Sequence, residues 1–263
     1  MPRILQITDT HLATNGKLVS NTLDSRSALD DAVADISAAL PKLGEIDALL
    51  ITGDLSDDGS PSSYAMLRST LEPLGLPILP IPGNHDLRQP MREAFADLEL
   101  FAAKGRLNWF KDIGPLRLVG IDTLIEGSGG GIIDQETAEF LNAALAFDGP
   151  VLLAMHHPPF TSGIRFMDAI GLAGTDLLAQ SIEGSPADIR IVCGHLHMVT
   201  AGSIAGKTAI ICPSTCSSFD VDFRPDAPVG FFPGGDGFMV HDWSGSFRST
   251  HIASVRNSLP TPF

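Results

Sequence analysis

The chain is poor in cysteine, in basic residues and in long apolar runs, and each shortage excludes a class of protein. Three cysteines in 263 residues do not predict a disulfide framework, and without a CxxC pair they do not predict a thiolate zinc site. No apolar run approaches the roughly 18 residues of a transmembrane helix. Because the first residues also lack the apolar stretch of a signal peptide, we expect a cytoplasmic protein that does not associate with membranes.

Basic residues are outnumbered by acidic ones. The 17 Lys and Arg against 31 Asp and Glu give a formal net charge of −14. An acidic surface repels the phosphates of nucleic acids, so a nucleic-acid polymer is not expected as a partner and a general nuclease is disfavoured. A small anionic substrate remains compatible with a site that metal ions make locally positive.

Apolar periodicity predicts alternating strands and helices through the first two-thirds of the chain. Strands are predicted at 4–8, 48–52, 78–81, 116–121, 151–155 and 189–193, and helices at 28–40, 63–71, 91–101, 135–145 and 176–182. The last third, about 200–255, is β-rich, with strands predicted at 203–212, 237–242 and 247–255. We therefore expect an α/β fold in which two mixed sheets pack face to face with helices outside. No linker divides the chain, so residues 1–263 are expected to form one domain, ending in a loose or partner-docked tail at 259–263.

Five short segments hold nearly all the conspicuous His, Asp and Asn residues. Each follows an apolar run that predicts a strand, which brings their side chains to strand ends, where a sheet can gather them into one site. The segments are Asp9-Thr10-His11, Gly53-Asp54, Gly83-Asn84-His85-Asp86, His156-His157 and Gly194-His195-Leu196-His197.

The residue types in these segments favour metal binding. In a strand, positions i and i+2 point to the same side, so Asp9 and His11 can reach one metal, and His195 and His197 can do the same. A carboxylate at Asp54 can use both of its oxygens to bridge two cations.

The third and fourth segments add acid–base chemistry. The amide oxygen of Asn84 can ligate a hard metal, His85 can project towards a substrate, and Asp86 can fix the orientation of His85 and raise its basicity. In the pair His156-His157 we expect one histidine to face the site and the other to pack or bond locally.

Together and in this order, the five segments resemble the calcineurin-like metallophosphoesterase superfamily, whose pattern is D-x-H, GD, GNH[DE], H and GHxH. The resemblance covers residues 4 to about 224 and is closer to bacterial class III cyclic-nucleotide phosphodiesterases and glycerophosphodiesterases. It implies a four-layer αββα fold. Ser/Thr protein phosphatases carry an Arg-bearing GDxxDRG block, and the matching stretch here is 53–59, Gly-Asp-Leu-Ser-Asp-Asp-Gly. Its two acids, Asp57 and Asp58, argue against that branch.

The resemblance implies two divalent metal ions. Metal one would be held by Asp9, His11, Asp54 and His197, and metal two by Asp54, Asn84, His156 and His195, with Asp54 bridging. His85 would face the substrate, with Asp86 as a second catalytic residue, and His157 would not be a ligand. Mixed His, carboxylate and amide ligands suit Mn, Fe, Zn or Co.

The function that follows is hydrolysis of a small phosphodiester such as 3',5'-cAMP by a metal-bridging hydroxide. One alternative is a broad glycerophosphodiesterase, and Phe160, Arg165 and Phe166 in the segment 160–174 are expected to shape that choice. A second alternative, a non-catalytic scaffold on the same fold, is disfavoured because no expected ligand is missing. We also expect a homo-oligomer, a dimer or larger, with its interface in the β-rich last third.

Overall fold

The structure is a computed structural model that describes residues 1–14 and 16–254. The strands of the described residues are β1 (Arg3–Ile7), β2 (Ala48–Thr52), β3 (Ile78–Ile81), β4 (Trp109–Ile113), β5 (Leu116–Gly120), β6 (Gly131–Ile132), β7 (Pro150–Ala154), β8 (Leu172–Ala173), β9 (Asp188–Cys193), β10 (Thr200–Ile204), β11 (Lys207–Ile211), β12 (Ser217–Phe219), β13 (Phe231–Pro233), β14 (Phe238–Trp243) and β15 (Phe247–Ile252). The helices are α1 (Ser25–Leu43), α2 (Pro61–Leu71), α3 (Arg88–Ala94), α4 (Gln135–Ala144), α5 (Arg165–Ala169) and α6 (Thr175–Glu183). The tail predicted at 259–263 lies outside the described residues, as does residue 255 of the strand predicted at 247–255.

Two large sheets form the centre of the molecule. The first has five strands in the order β15-β14-β1-β2-β3, and the second has six in the order β10-β11-β9-β7-β5-β4. Strands β1, β2 and β3 are parallel to one another, as are β5, β7 and β9. Because parallel strands end at the same edge of their sheet, the segments that follow them lie side by side.

The sheets pack face to face between two layers of helices. Ile4 and Leu50 of the first sheet and Leu118 and Leu152 of the second belong to one buried cluster between the sheets. This arrangement is the predicted pair of mixed sheets flanked by helices, and the predicted fold class is confirmed.

The outer faces of the sheets each carry their own helices. Leu29 of α1, Leu67 of α2 and Met91 of α3 pack in one cluster with the first sheet. Leu141 of α4 and Leu178 of α6 pack in a cluster with the second sheet. The four layers are therefore helix, sheet, sheet and helix. Within residues 1–14 and 16–254, no helix is both long enough and apolar enough to span a bilayer.

Helix starts follow local capping chemistry. The side chain of Asp24 accepts a hydrogen bond from the Ser27 backbone N–H at the start of α1. Ser60 does the same for α2, where Pro61 occupies the first helical turn, and Asp134 caps α4. Each cap gives a partner to an N–H group that has none within its helix.

Two details differ from the sequence prediction. The strand predicted at 203–212 is a hairpin of β10 and β11, because Ala205 and Gly206 adopt left-handed conformations that form a tight turn. The helix predicted at 91–101 is the shorter α3 followed by a 3₁₀ turn at Ala96–Leu98. The strands predicted in the β-rich last third are divided between the two large sheets, since β10 and β11 join the second sheet and β14 and β15 join the first.

Candidate metal centre

The predicted ligands lie on left-handed turns just beyond the strands. Strand β1 ends at Ile7 and β9 ends at Cys193, so the same-side argument from strand geometry is wrong for the pairs that follow them. Positive φ angles are found instead at five predicted ligands, which are Asp9 (51°), His11 (42°), Asp54 (51°), His195 (72°) and His197 (55°). Non-glycine residues adopt this conformation at an energetic cost, and such residues cluster at functional sites.

Glycine precedes His195 because two loops meet there. A Cβ atom on Gly194 would lie 2.1 Å from Thr8 Oγ1 and 2.7 Å from Asp9 Oδ2. Only a residue without a side chain lets the loop after β9 approach the loop after β1 this closely. The close approach brings ligands from the two sheets into one site.

Asp9, His11 and His197 form the first buried group of ligand atoms. His197 Nε2 lies 3.3 Å from Asp9 Oδ1 and 3.1 Å from His11 Nε2. The carboxylate of Asp9 is held in place by the backbone N–H of His195, at 3.0 Å from Oδ2. These three side chains can together hold one metal ion.

A second group is centred on His156. Its Nε2 atom lies 3.1 Å from Asn84 Oδ1 and 3.4 Å from Asp54 Oδ2. Asp9 Oδ1 is 3.9 Å from the same nitrogen, so the two groups are adjacent.

Asp54 connects the groups through one oxygen. Oδ2 lies 3.6 Å from His11 Nε2 as well as 3.4 Å from His156 Nε2. Oδ1 instead accepts a hydrogen bond from the backbone N–H of His85 at 2.8 Å. The expectation that both oxygens bridge is therefore wrong in detail, because only Oδ2 faces both groups.

His195 and His157 lie side by side but differ in their partners. His195 Nε2 faces the carbonyl oxygen of Ile170 at 3.2 Å, which leaves Nδ1 as its remaining nitrogen. In His157, Nδ1 pairs with Thr123 Oγ1 at 2.8 Å and Nε2 with the Gly129 carbonyl at 3.1 Å. Both nitrogens of His157 have partners, but His157 also belongs to a buried group with His156 and His195 that could hold a metal ion. That His157 is not a ligand stays a prediction.

The donor set fits divalent metal ions. A carbonyl only accepts, so His156 Nδ1, which lies 2.8 Å from the Thr52 carbonyl, carries a hydrogen, and in the neutral ring Nε2 presents its lone pair. That lone pair faces the amide oxygen of Asn84 at 3.1 Å, and two acceptors repel unless a proton or a cation lies between them. Ligand atoms about 2.1 Å from an octahedral metal lie about 3 Å apart, which matches this separation.

Buried charge at the centre favours a cation. Burial by itself would raise the pKa of Asp9, but the nearby charges of His197 and His156 lower it to about 2. Burial would lower the pKa of His156, whereas Asp54 and Asp9 raise it to about 9. Burial and repulsion from His156 lower the pKa of His195 to about 3. The carboxylates thus stay ionised, and a metal ion competes with the proton of His156 for the same place.

His85 is oriented by a different acid from the one expected. Its Nδ1 lies 3.1 Å from the Asp57 carbonyl and 3.6 Å from Asp57 Oδ1. The carboxylate of Asp86 is buried and accepts hydrogen bonds from the backbone N–H groups of Gly83, Leu55 and Ser56 and from the hydroxyl of Tyr64. The expectation that Asp86 orients His85 is corrected: Asp57 is the acid beside the ring, and Asp86 ties the loop after β2 to the loop after β3.

The metal-ligand floor is defined as Asp9, His11, Asp54, Asn84, His156, His195 and His197. Five of these residues line a cavity of about 250 Å³, whereas Asp9 and His156 are fully buried. The rest of the cavity is lined mainly by an apolar wall, defined as Val19, Leu23, Phe166, Met167, Ile170, Phe219 and Phe231. Among the described residues, no lysine or arginine lines this cavity. Phe219 of β12 packs on the ring of His197 with centroids 4.8 Å apart. A neutral, apolar substituent therefore fits the wall, while the floor accepts an anion through bound cations.

Of the three side chains expected to shape substrate choice, one lines this cavity. Phe166 of α5 belongs to the apolar wall. Phe160 does not line this cavity, and its ring lies against Gly202 of β10, where an added Cβ atom would lie 2.5 Å from it. Arg165 turns away, donating a hydrogen bond to the Pro225 carbonyl at 2.7 Å.

Several residues of the site escaped sequence reasoning. Asp57 stands in a recognisable motif, as the second acid of the Gly-Asp-Leu-Ser-Asp stretch. That motif argues against the protein-phosphatase branch but does not indicate that Asp57 lies beside His85. Phe219, Phe231 and Val19 carried no local signal, because nothing in their own segments indicates a binding surface. The division of the floor between two metals stays a prediction.

Comparison with known proteins agrees with this geometry. Residues 2–199 match the sequence model of a family described as "Calcineurin-like phosphoesterase". The chain is similar to a protein of Arcobacter nitrofigilis named "Probable glycerophosphodiester phosphodiesterase GpdQ", with 30% identity over 99% of this chain and 95% of that protein. It is also similar to a protein of Pseudomonas aeruginosa named "3',5'-cyclic adenosine monophosphate phosphodiesterase CpdA", with 30% identity over 91% of this chain and 85% of that one.

Among solved structures, the chain is similar to a dimetal phosphatase from Danio rerio. The TM-score is 0.64 and the identity 14%, over 97% of this chain and 96% of the other. At this identity the likeness concerns the fold alone.

Proposed function

Because this chain belongs to the calcineurin-like phosphoesterase family, we propose that it is a metal-dependent phosphodiesterase that hydrolyses small phosphodiesters. The observation that carries the proposal is the metal-ligand floor, where buried carboxylates and imidazoles from both sheets converge beside an apolar wall. A non-catalytic scaffold is disfavoured, since the sequence keeps every predicted ligand and the side chains of these residues lie close together.

The metal-ligand floor would hold two divalent cations in the predicted division, with Asp54 shared. When bound, such cations supply positive charge to the phosphoryl oxygens and a nucleophile at neutral pH. We propose Mn, Fe, Zn or Co, because four imidazoles, two carboxylates and one amide are a mixed nitrogen and oxygen donor set. Elemental analysis of the purified protein would identify the ions.

His85 stands where it can act on the leaving group. Its ring lies edge-on to that of His11, with centroids 4.7 Å apart, and its side chain is 41% exposed to the cavity. Asp57 holds Nδ1 of the ring, so Nε2 is the nitrogen available to a substrate. We propose that this nitrogen donates a hydrogen bond or a proton to the leaving oxygen.

The apolar wall favours a cyclic nucleotide over a glycerophosphodiester. A nucleobase is planar and largely apolar on its faces, and aromatic side chains such as Phe166 and Phe231 bind such faces well. Glycerol would leave this surface uncovered and its own hydroxyls without partners. The absence of a lining lysine or arginine among the described residues also fits a substrate with a single phosphate group. Glycerophosphodiesters remain the second candidate, supported by the name of the Arcobacter relative.

The test is hydrolysis by protein loaded with Mn²⁺, with a chelated sample as control. A chromogenic aryl phosphodiester is compared with its monoester, and 3',5'-cAMP is then compared with glycerophosphocholine. We expect chelator-sensitive turnover of the diester well above that of the monoester, and a higher kcat/KM for the cyclic nucleotide. No turnover of any diester by protein shown to contain metal would contradict the proposal.

Oligomeric state and location are further proposals. Large apolar side chains around β12 and β13 are exposed, including Phe223 (68%), Val229 (61%) and Phe232 (58%). Because such surface is unfavourable in water, we propose that it forms the interface of a homo-oligomer. Light scattering of the wild type and of Phe223→Asp would measure this, with a smaller assembly expected for the variant. The cytoplasmic location and the single-domain organisation stay predictions.

A further inference from the structure

Gln6 is a fully buried amide in an otherwise apolar part of β1. It lies on the same face of the strand as Ile4, which packs between the two sheets. Burying an amide is unfavourable unless its donors and acceptor all have partners. An apolar side chain would fill this layer without that requirement, so the amide needs a specific explanation.

The partners of Gln6 belong to both sheets. Its Nε2 atom lies 2.7 Å from Oγ1 of Thr52, the last residue of β2 in the first sheet. The same nitrogen lies 3.0 Å from the carbonyl oxygen of Cys193, the last residue of β9 in the second sheet. The amide group therefore links the ends of two strands across the sandwich.

The orientation of this amide follows from its partners. The Cys193 carbonyl only accepts hydrogen bonds, so the NH₂ group of Gln6 faces it and Oε1 faces the other way. Oε1 accepts from Nε2 of His241 at 2.7 Å, and Nδ1 of His241 pairs with the hydroxyl of Ser249 at 2.8 Å. The donors and the acceptor of Gln6 are all satisfied, and His241 fixes the direction of the link.

Both strand ends lead directly into the metal-ligand floor. Thr52 is followed by Gly53 and Asp54, and Cys193 by Gly194 and His195. The carbonyl of Thr52 also accepts the hydrogen bond from Nδ1 of His156 at 2.8 Å. The amide of Gln6 is thus connected to three of the predicted ligands: to His156 through Thr52, to Asp54 through Thr52 and Gly53, and to His195 through Cys193 and Gly194.

Both predicted metals take ligands from both sheets. Asp9, His11, Asp54 and Asn84 follow strands of the first sheet, whereas His156, His195 and His197 follow strands of the second. The separation of the sheets at this edge therefore sets the distances between donor atoms of each metal. A hydrogen-bonded amide fixes such a separation more narrowly than apolar contacts, which tolerate sliding.

We propose that Gln6 is a positioning residue, a spacer that holds the two sheets at the separation that the metal pair requires. It does not touch the substrate or the metals. The proposal rests on the proposed function only in that the floor binds metal ions, and it does not depend on which phosphodiester is hydrolysed.

The test removes the amide of Gln6 together with the imidazole of His241. If Gln6 alone were replaced, Nε2 of His241 would stay buried without a hydrogen-bond partner. In the double variant Gln6→Met/His241→Phe, we expect both Mn²⁺ ions to bind about tenfold more weakly in competition with a chromogenic chelator, as for partners behind metal ligands generally. The exchange coupling of the two Mn²⁺ ions in electron paramagnetic resonance should change as well. The matched control is Ile4→Val, which alters the same face of β1 without touching the link and should leave affinity and spectrum unchanged.

A second variant, Gln6→Asn, keeps the amide but is one methylene shorter. It should weaken Mn²⁺ binding in the same direction, because the shorter side chain cannot reach Thr52, Cys193 and His241 together. Mn²⁺ affinity and coupling equal to those of Ile4→Val in either variant would overturn the proposal, as would a wild-type protein that binds no metal. A wild type that binds two metals but hydrolyses no phosphodiester would contradict the proposed function. The Mn²⁺ affinities of the variants would still decide whether Gln6 acts as a spacer.

Discussion

The metal-ligand floor and the apolar wall face each other across one cavity, but they are built in opposite ways. The floor comes from the ends of parallel strands in the interior of the sandwich, and Asp9 and His156 have no exposed surface. The wall comes from connecting segments, and Phe166 and Phe231 remain 44% and 37% exposed.

Because of this difference, we expect the floor to carry the reaction common to all substrates and the wall to determine which substrates bind well. Floor residues are fixed by hydrogen bonds to backbone groups, such as Thr52 to His156 and Ile170 to His195, so small changes there disturb several groups at once. Wall residues mostly contribute area, and their replacement changes which substituent fits. We therefore expect floor variants to lower turnover for every substrate, and wall variants to alter KM for some.

The largest effect is expected from the residue shared by both groups of ligands. Asp54→Ala should weaken both metals and lower turnover by more than about 100-fold, since partners one step behind a ligand already account for about 10- to 100-fold. Metal content and kcat measure this. The matched control is Asp58→Asn in the same loop, where Asp58 caps local N–H groups, and which should keep both metals. A two-metal site retained in Asp54→Ala would rule out its bridging role.

Replacing His85 tests the chemical step separately from metal binding, because His85 is not one of the predicted metal ligands. His85→Ala should lower kcat about 10²- to 10⁴-fold, the usual contribution of a general acid, while metal content is unchanged. Asp57→Asn should act in the same direction but less, because Nδ1 of His85 donates to the backbone carbonyl of Asp57, which the variant keeps. Only the charge of the carboxylate, 3.6 Å from Nδ1 of both His85 and His11, is lost. Wild-type turnover in His85→Ala would remove the residue from the reaction.

The wall is tested at Phe166, which lines the cavity but is not one of the predicted metal ligands. Phe166→Ala should raise KM for 3',5'-cAMP about tenfold, in the range of a lost base–aromatic contact. Hydrolysis of a dimethyl or glycerol diester should change little, so the ratio of the two KM values is the diagnostic quantity. An equal loss for both substrates would assign Phe166 to the common chemistry instead.

The smallest effect is expected at the neighbouring position. Arg165→Ala should change KM for either substrate by less than about twofold, because its exposed side chain bonds to the Pro225 carbonyl away from the cavity. The same kinetic assay serves as its measurement. A tenfold change would show that the positive charge of Arg165 guides the anionic substrate after all.

Much of the floor could be predicted because its signals are local. Each ligand follows an apolar run within a few residues, and the identity of Asp9, His11, Asn84, His195 and His197 needed no knowledge of distant contacts. The reason given for their convergence was less accurate, since the pairs beyond β1 and β9 reach the site through left-handed backbone and not through strand alternation.

The roles of Asp57 and Asp86 could not be separated from the sequence. Asp86 is adjacent to His85 in the sequence, whereas Asp57 belongs to the earlier segment that contains Asp54. Adjacency in the sequence favours Asp86 as the partner of His85. The folded chain reverses this choice because Asp86 is drawn inward by the N–H groups of Leu55 and Ser56, about thirty residues away.

The sequence by itself determined the residue types of the five segments, their order, the α/β layering and the family, because residue chemistry and apolar period are properties of short segments. Tertiary structure alone decided which partners the nitrogens of each histidine meet, which oxygen of Asp54 faces both groups, how Gln6 joins the sheets and which side chains form the wall. Those features depend on distances between residues far apart in sequence, such as Gln6 and Cys193 or His11 and His197. Such distances are set only when both sheets pack, since no short segment contains both partners.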